Sequence, residues 1–238
     1  MFITPGEFIG RYLYVYGEYE GHIAELFRQV LHEGDVVLDI GANLGVFTVL
    51  SARLCGSRGE VHAFEASPAM KDILERNVAL NSATNVTIYP FAAGERETTL
   101  PFYLANEKNA GLGSLRNPGD SASGVIQVSV RPIDSLMSRF GTVKLIKIDV
   151  EGAEPLVLKG ARGLIERDRP FLILELSESF STQLSCSVAA AVESLQQMEY
   201  ELYNADEGLR RIFVAPAQQA NILCVPREVV RESWLAVS

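Results

Sequence analysis

Short apolar runs alternate with amphipathic segments along most of the chain. The runs rich in Val, Ile, Leu and Phe predict strands at residues 36–40, 60–65, 86–91, 144–150, 171–176, 200–203 and 221–225. The amphipathic segments predict helices at residues 20–31, 46–54, 68–80, 153–167 and 187–198. Nearly continuous apolar runs are typical of parallel strands that are covered on both faces. The alternation therefore predicts an α/β fold with a doubly wound sheet, in which the last two strands form an antiparallel edge pair.

Two regions interrupt this alternation. Residues 98–131 contain two strand-like runs, TLPFYLA and GVIQVSVRPI, on either side of a loop rich in Gly, Asn and Ser. This pattern indicates a β-hairpin insertion, and long loops in compact domains are often functional. Residues 1–30 form an N-terminal cap that is aromatic at first and then helical. Because no linker or repeat divides the chain, we predict a single domain over residues 1–238.

Composition and charge narrow the class of function. The chain of 238 residues has a formal net charge of −9, which argues against a broad nucleic-acid-binding face. No apolar run approaches the roughly 20 residues that span a bilayer, and the start lacks the pattern of a secretion signal. The three cysteines and three histidines are scattered without disulfide or metal-ligand spacing. These features favour a cytoplasmic protein with reduced thiols.

The first predicted strand ends in a glycine-rich turn. The stretch VLDIGANLGVFT contains Asp39, Gly41, Asn43 and Gly45 in this order. Ligands of doubly wound sheets bind outside the carboxyl ends of the strands, and glycines let backbone approach a ligand closely. A dinucleotide site would need a glycine in place of Asn43, and its phosphates would disfavour the carboxylate of Asp39. An ordinary strand-to-helix turn is the competing interpretation.

The second predicted strand ends at Glu65, about 20 residues after the glycine turn. A carboxylate at this position can accept hydrogen bonds from both hydroxyls of a ribose. Together with Asp39, it suits a nucleoside that carries a cationic tail and no phosphate. S-adenosylmethionine is such a molecule.

A second group of charged residues lies on the segment LIKIDVEGAE. Strand alternation places Lys147, Asp149 and Glu151 on one face. Because a buried ammonium needs a carboxylate partner, we predict that Lys147 pairs with Asp149 or Glu175. Asp149, at the carboxyl end of the strand, is predicted to be functional. Glu154, in the first turn of the next helix, is predicted to be mainly structural, accepting free backbone N–H groups.

The same acids raise the question of a metal. Asp149, Glu151 and Glu175 together could hold a divalent cation that orients and acidifies a hydroxyl. No histidine lies near them in sequence, and Lys147 competes for the carboxylates. We therefore predict no metal site.

These motifs resemble those of the FkbM-type methyltransferases, a class I S-adenosylmethionine-dependent family of mostly O-methyltransferases. The matching stretches are VVLDIGANLGVFTVLSARL, GEVHAFEASPAMKDILERNVALN, VTIYPFAAGERE, GLGSL, VRPIDSL, LIKIDVEGAEPLVLKGA and FLILELSES, which cover roughly residues 17–177. The combination of DxGANxG with KIDVEGAE is far more discriminating than a lone glycine motif. The resemblance implies a Rossmann-like class I methyltransferase fold, with a seven-stranded, mostly parallel sheet whose last strand is antiparallel.

The resemblance also implies a set of cofactor-binding residues. They are Glu20, Asp39, Gly41, Asn43, Gly45, Glu65, Ala66, Ala92, Asn109, Ser114 and Asp149. The residues of the glycine turn would surround the methionine portion of S-adenosylmethionine, Glu65 would hold the ribose, and Ala92 would leave room for adenine. Glu20, together with Tyr19, would close over the amino-acid tail; the competing interpretation is that they are only an acid at a helix N-terminus and a packing aromatic. Asn109 and Ser114 would face the cofactor or the acceptor.

Two positions depart from the family pattern. Ala66 replaces the proline that usually follows the acid of the second strand, and it should be tolerated because the ribose contact belongs to Glu65. Ser177 lies in the stretch after Glu175 where the family often has a histidine. If that histidine acts elsewhere in the family, this protein must act without it.

The predicted activity is O-methylation of a hydroxyl on a small molecule, sugar or natural product, which converts S-adenosylmethionine to S-adenosylhomocysteine. Asp149 is the predicted catalytic residue, as proton acceptor or as the group that positions the hydroxyl, with Lys147 and Glu175 as partners. The alternatives are a nucleic-acid or protein methyltransferase on the same fold, or a non-catalytic cofactor-binding module. We expect a small-molecule or carbohydrate acceptor at residues 1–20 and 105–124, no nucleic acid and no membrane span. A homodimer remains an open alternative to a monomer.

Overall fold

A computed structural model of the chain describes residues 1–3, 8–104, 113–119 and 122–230. A central sheet contains eight strands: β1 (Val36–Ile40), β2 (Glu60–Phe64), β3 (Val86–Tyr89), β7 (Val143–Ile148), β8 (Phe171–Leu176), β9 (Tyr200–Asn204), β10 (Arg210–Ile212) and β11 (Ala220–Pro226). Their order across the sheet is β10-β9-β11-β8-β7-β1-β2-β3. The five strands from β3 to β8 pair in parallel. β11 is antiparallel to both β8 and β9.

The predicted Rossmann-like sheet is confirmed, including the antiparallel pair formed by β9 and β11. The structure adds one edge strand that the sequence pattern did not indicate. β10 is only three residues long and pairs antiparallel with β9. So short a strand carries too few alternating positions to be recognised from sequence.

Eight α-helices lie among the described residues and pack around this sheet. They are α1 (Phe8–Tyr16), α2 (Gly21–Val30), α3 (Val46–Cys55), α4 (Pro68–Leu80), α5 (Glu154–Gly160), α6 (Arg162–Asp168), α7 (Glu178–Ser181) and α8 (Val188–Gln197). α4 begins as its sequence predicts, because the Ser67 hydroxyl accepts the N–H of Met70 and Pro68 occupies the first turn.

The prediction of one continuous helix over residues 153–167 is wrong. The chain leaves helical geometry at Ala161, whose φ and ψ are −114° and 6°, so that α5 and α6 are separate. At the end of α5, a Cβ on Gly160 would lie 1.9 Å from the carbonyl oxygen of Gly94. The helix therefore ends against the backbone of another loop, a tertiary contact that helical periodicity does not encode.

Both faces of the sheet are buried in apolar layers. All five residues of β1 are buried, and successive side chains enter opposite layers. Leu38 and Ile40 pack in the layer under α5, α6 and α8, whereas Val37 packs in the layer under α2 and α3. This double burial explains why the strand is an apolar run rather than an alternating one.

The insertion at residues 98–131 is confirmed as a β-hairpin. β5 (Thr98–Leu104) and β6 (Gly124–Arg131) pair antiparallel, and the two-residue strand β4 (Ala92–Ala93) joins β6 in parallel. The strand predicted at residues 86–91 ends at Tyr89, since Pro90 has no N–H for the sheet ladder. The chain thus leaves the main sheet beside the carboxyl end of β2 and builds a second, smaller sheet there.

Within the described ranges, no helix is both long and apolar enough to cross a membrane.

Candidate active site

The carboxyl ends of β1, β2, β7 and β8 open into a cavity of about 450 Å³. Part of its wall is apolar and comes from Phe64, Met70, Phe91, Phe102 and Leu115. Another part is acidic and comes from Glu65, Asp149, Glu151 and Glu175. The cavity thus lies where ligands of doubly wound sheets bind, as the sequence predicts.

The glycine turn is shaped by close packing. Gly41 has φ 84°, and a Cβ there would lie 1.8 Å from the carbonyl oxygen of Asp149. Gly45 has φ 91°, and its Cβ would lie 2.5 Å from Cδ1 of Leu74 on α4. Gly41 therefore lets the end of β1 contact the end of β7, and Gly45 lets α3 begin against α4. Gly41 and Asn43 line the cavity, whereas Gly45 lies behind it.

Asp39 lies beneath the turn rather than among the cavity-lining residues. Its side chain is 1% exposed, and its Oδ2 accepts a hydrogen bond of 2.6 Å from the Thr48 hydroxyl. Its Oδ1 is buried with no hydrogen-bond partner among the described residues. Burial raises the pKa of Asp39, although Lys147, its neighbour across the β1–β7 pairing, opposes that shift.

At the carboxyl end of β2, backbone N–H groups hold the side chain of Glu65 in place. Its Oε2 accepts the N–H of Asn43 at 2.8 Å, and its Oε1 accepts the N–H of Ser67 at 2.7 Å. Each oxygen retains a second lone pair for a ligand hydroxyl. Burial raises the pKa of Glu65 to about 7, against the opposing effect of these two N–H groups. Ala66 lines the cavity next to it.

Lys147 and Asp149 form the ion pair predicted for β7. The Lys147 ammonium is 5% exposed and donates a hydrogen bond of 2.8 Å to Oδ2 of Asp149. It also lies 5.0 Å from the ring centre of Phe47. Burial alone would lower the pKa of Lys147, but the carboxylates of Asp149, Asp39 and Glu20 raise it above its ordinary value. The lysine is thus a permanent cation behind the cavity wall.

Glu175 lies beside this ion pair and shares a hydrogen bond with Asp149. Burial and the charge of Asp149 raise the pKa of Glu175 to about 9, so that it holds a proton at neutral pH. Burial would also raise the pKa of Asp149, but Lys147 and the hydrogen bonds from Lys147 and Glu175 lower it. Gln219 donates a hydrogen bond of 2.8 Å to Oε1 of Glu175.

Carboxylate oxygens of Asp149, Glu151 and Glu175 lie within 4.8 Å of one another. A divalent cation would have to compete there with the Lys147 ammonium for Asp149 and with the proton of Glu175. We therefore assign no metal to these acids.

Glu154 occupies the structural role that the sequence predicts. Its Oε1 accepts the N–H groups of Val150 at 2.9 Å and Gly152 at 3.2 Å. Between these residues, Glu151 has φ 56°, a left-handed conformation that residues other than glycine rarely adopt. Glu154 therefore stabilises a tight turn that carries Glu151 on the cavity wall.

Of the remaining predicted residues that the structure describes, Ala92 lines the cavity, whereas Glu20 and Ser114 are not among its lining residues. Glu20 precedes α2 in a left-handed conformation, and burial raises its pKa against the opposing charge of Lys147. The adjacent Tyr19 lines the cavity, as does Ala92. The Ser114 hydroxyl bonds to the backbone of Arg116, while its neighbours on either side line the cavity. Asn109 lies outside the described residues.

Sequence reasoning missed several cavity-lining residues. Gln219 precedes β11, Phe102 lies on the hairpin and Met70 lies on α4. Gln219 and Phe102 lie outside the stretches that resemble the family, and Met70 lies within one of them but has no charged or polar group that would mark it, so the sequence did not assign these residues to the cavity.

Comparison with known proteins matches this chain to methyltransferases. Residues 39–206 match the profile of the methyltransferase FkbM domain. The chain is 30% identical over 162 residues to 31-O-demethyl-FK506 methyltransferase FkbM of Streptomyces tacrolimicus, an alignment that covers 55% of this chain and 60% of the relative. It is 26% identical over 159 residues to hexuronic acid methyltransferase AglP of Haloferax volcanii, covering 66% and 62%. The chain spans about 60% of the length of these curated relatives.

Solved structures share the fold. The crystal structure of a methyltransferase FkbM from Methylobacillus flagellatus superposes with a TM-score of 0.54 at 19% identity, covering 84% of this chain and 50% of that chain. An S-adenosylmethionine-dependent O-methyltransferase from Thermotoga maritima has a TM-score of 0.50 at 14% identity, covering 93% and 71%. The family profile extends over more than half of the chain and includes both the glycine turn and the acidic segment. This chain therefore belongs to the FkbM methyltransferase family.

Proposed function

We propose that the chain is an S-adenosylmethionine-dependent O-methyltransferase that acts on a hydroxyl of a small molecule, sugar or natural product. The charge of the cavity carries this proposal. Among the described residues on its wall, four are Asp or Glu and none is Lys or Arg. Glu175 holds a proton and Lys147 pairs with Asp149. Glu65 and Glu151, with pKa values of about 7, still give the wall negative charge near neutral pH. Such a wall favours a ligand with a positive centre and disfavours a phosphate.

The residues present fit this donor, which when bound supplies a methyl group activated on a sulfonium. Glu65 would hold the ribose hydroxyls with the lone pairs that the backbone leaves free. Phe64, Phe91 and the small Ala92 would accept the adenine ring. Asp39 does not line the cavity, so its carboxylate would act on a cationic group of the ligand through its charge rather than through a hydrogen bond.

The chain's own residues would contribute position and charge to the reaction. The apolar wall would exclude water, which strengthens electrostatic interactions inside the cavity. Asp149, held by Lys147 and Glu175, would accept a hydrogen bond from the acceptor hydroxyl and fix its direction. Alignment of the reacting atoms accounts for much of the acceleration of such a displacement.

The net charge of the chain and the names of its relatives support the proposed class of acceptor. A net charge of −9 supports a small molecule or carbohydrate rather than a nucleic acid. Two relatives are named for a hexuronic acid and for 31-O-demethyl-FK506, a sugar acid and a natural product. The free Cys55, Cys186 and Cys224 support a reducing, cytoplasmic setting.

Isothermal titration calorimetry tests the cofactor. S-adenosylmethionine and S-adenosylhomocysteine should both bind with 1:1 stoichiometry, whereas NAD, whose pyrophosphate meets the acidic wall, should not. Binding of NAD in preference to both would contradict the proposal. The acceptor would then be sought by mass spectrometry of a producing strain and its deletion mutant, as a metabolite that lacks one methyl group in the mutant.

A further inference from the structure

We propose that Glu151 accepts the proton of the acceptor hydroxyl, whereas Asp149 only positions that hydroxyl. This inference rests on the proposed methyl transfer and identifies a catalytic residue for it. The sequence analysis left both roles open for Asp149, which directly follows β7. The contacts of Asp149, Glu175 and Glu151 favour a different role for each acid.

Asp149 is a poor proton acceptor because its carboxylate is already bonded on two sides. The Lys147 ammonium donates to Oδ2 at 2.8 Å, and Glu175 shares a further hydrogen bond with it. Both contacts stabilise the ionised carboxylate, and together they lower the pKa of Asp149 despite its burial. A carboxylate stabilised in this way retains little affinity for a proton, but it remains a good hydrogen-bond acceptor.

Glu175 is excluded for the opposite reason. It lies between the negative charge of Asp149 and the amide of Gln219, and it carries a proton at neutral pH. A group that already holds its proton cannot take up another. Its contribution is to hold Asp149 in place.

Glu151 is the acid on this wall whose carboxylate is free. Within the described residues, it makes no hydrogen bond, yet one of its oxygens lies within 4.8 Å of oxygens of Asp149 and Glu175. Its left-handed backbone is held between the two N–H groups that Glu154 binds, and Gly152 follows it with φ 104°. A left-handed conformation is strained for such a residue, and strain of this kind concentrates at functional sites.

The charges that face Glu151 come from three elements. Asp149 and Lys147 lie on the segment before it, Arg116 faces it from the segment at 113–119, and Glu175 lies on β8. Arg116 is itself stacked over the ring of Phe180 at 4.0 Å. Burial and the charge of Asp149 raise the pKa of Glu151 to about 7, while Arg116 and Lys147 oppose the shift. A general base is most effective when its pKa lies near the working pH.

The reaction then balances with the groups already named. The acceptor oxygen forms a bond to the methyl carbon while the bond from that carbon to sulfur breaks, with its electron pair left on sulfur. The hydroxyl proton passes to the carboxylate of Glu151 and from there to solvent. The products are the methyl ether, the neutral thioether and one released proton.

Sinefungin provides a test that needs no acceptor, because it carries an amino group in place of the sulfonium methyl group. A carboxylate beside the reacting position should attract the ammonium of sinefungin but gain nothing from S-adenosylhomocysteine. The ratio of the two affinities, measured by calorimetry, cancels the contacts that the ligands share. We expect this ratio to rise about five- to tenfold between about pH 6 and pH 8 as Glu151 ionises.

Glu151→Gln should remove that rise and leave the affinity for S-adenosylhomocysteine nearly unchanged. Glu166→Gln, on the exposed face of α6, loses the same charge away from the cavity and should behave as the wild type. A ratio that still rises in Glu151→Gln, or one that is flat in the wild type, would overturn this inference alone. Failure of both ligands to bind at any pH would overturn the proposed function and this inference with it.

Discussion

The two sides of the cavity hold their buried acids by different means. On the side of β1 and β2, Asp39 and Glu65 are bonded by neutral donors, a hydroxyl and two backbone N–H groups. On the side of β7 and β8, Asp149 is bonded by the Lys147 ammonium and by the carboxyl group of Glu175.

This difference separates two tasks. The backbone donors that hold Glu65 do not titrate, so they fix the position of its carboxyl group at every pH, although the carboxyl group itself has a pKa of about 7. The β7–β8 side is a network of charges and shared protons, whose properties change with pH and with each charge that is removed. Substitutions on the first side should therefore change affinity, and substitutions on the second side should change stability, turnover and pH dependence.

The largest effect is expected from Lys147→Met. Removing the ammonium leaves Asp149 and Asp39 without their shared cation in a buried setting, and breaking a buried ion pair typically costs about 3–5 kcal/mol. Urea unfolding at neutral pH would measure the loss. Lys144→Met is the matched control on the same strand, because its ammonium lies near the Phe171 ring rather than at the cavity. If the free energy of unfolding fell equally in both variants, the Lys147 ammonium would not be what stabilises the buried acids of β7 and β8.

Asp149→Asn should reduce turnover by about 100-fold on the acceptor found by metabolite comparison, the usual scale for such a group. The fold should remain, and binding of S-adenosylhomocysteine should be nearly unchanged, since Glu65, the residue proposed to hold the ribose, lies on the other side of the cavity. Steady-state kinetics and calorimetry on the same preparation would measure both. Near-normal turnover would mean that Asp149 neither positions the hydroxyl nor accepts its proton.

Glu65→Ala tests the neutral side. It should weaken S-adenosylmethionine binding by about 1–3 kcal/mol, because the ribose hydroxyls and two backbone N–H groups lose their acceptor. Glu60→Ala, at the exposed start of the same strand, serves as the control. Unchanged affinity by calorimetry would remove Glu65 from the cofactor site.

The smallest effect concerns pH. Because the pKa of Glu175 is raised to about 9 in the folded protein, its contribution to stability is fully present below its unfolded pKa and is lost as pH rises through about 9. The free energy of unfolding should therefore fall between about pH 7 and pH 9, and this slope should be shallower in Glu175→Gln. Urea unfolding at several pH values would show this. If the free energy of unfolding fell equally steeply with pH in the wild type and in Glu175→Gln, Glu175 would not be the group that loses the proton.

Part of this site could be predicted from the sequence because burial leaves few choices. A lysine on a central parallel strand must find a carboxylate, and alternation placed Asp149 within its reach, which is the pairing observed. Likewise, an acid at the start of a helix meets free N–H groups, which is the role that Glu154 has. Both predictions rest on the regular local geometry of a strand or of a helix N-terminus.

The rest depends on how distant segments meet. Gln219 lies 44 residues after Glu175 in the sequence, and the two meet because β11, which begins at the next residue, pairs antiparallel with β8. α5 ends against the backbone of Gly94, which helical periodicity cannot show. The division of charge among Asp149, Glu151 and Glu175 arises from burial and mutual repulsion, and these exist only once the sheet has assembled.

The missing side chain of Gly41 has a consequence for engineering this protein. The backbone of Gly41 packs directly against the backbone of Asp149. The distance between the glycine turn and Asp149 is therefore set by backbone atoms rather than by adjustable side chains. Substitutions of the wall residues Phe102 or Leu115 should therefore reshape the cavity while this distance stays the same. Acceptor range and catalytic alignment are then separate design variables, and libraries aimed at new acceptors should vary the wall and leave the glycine unchanged.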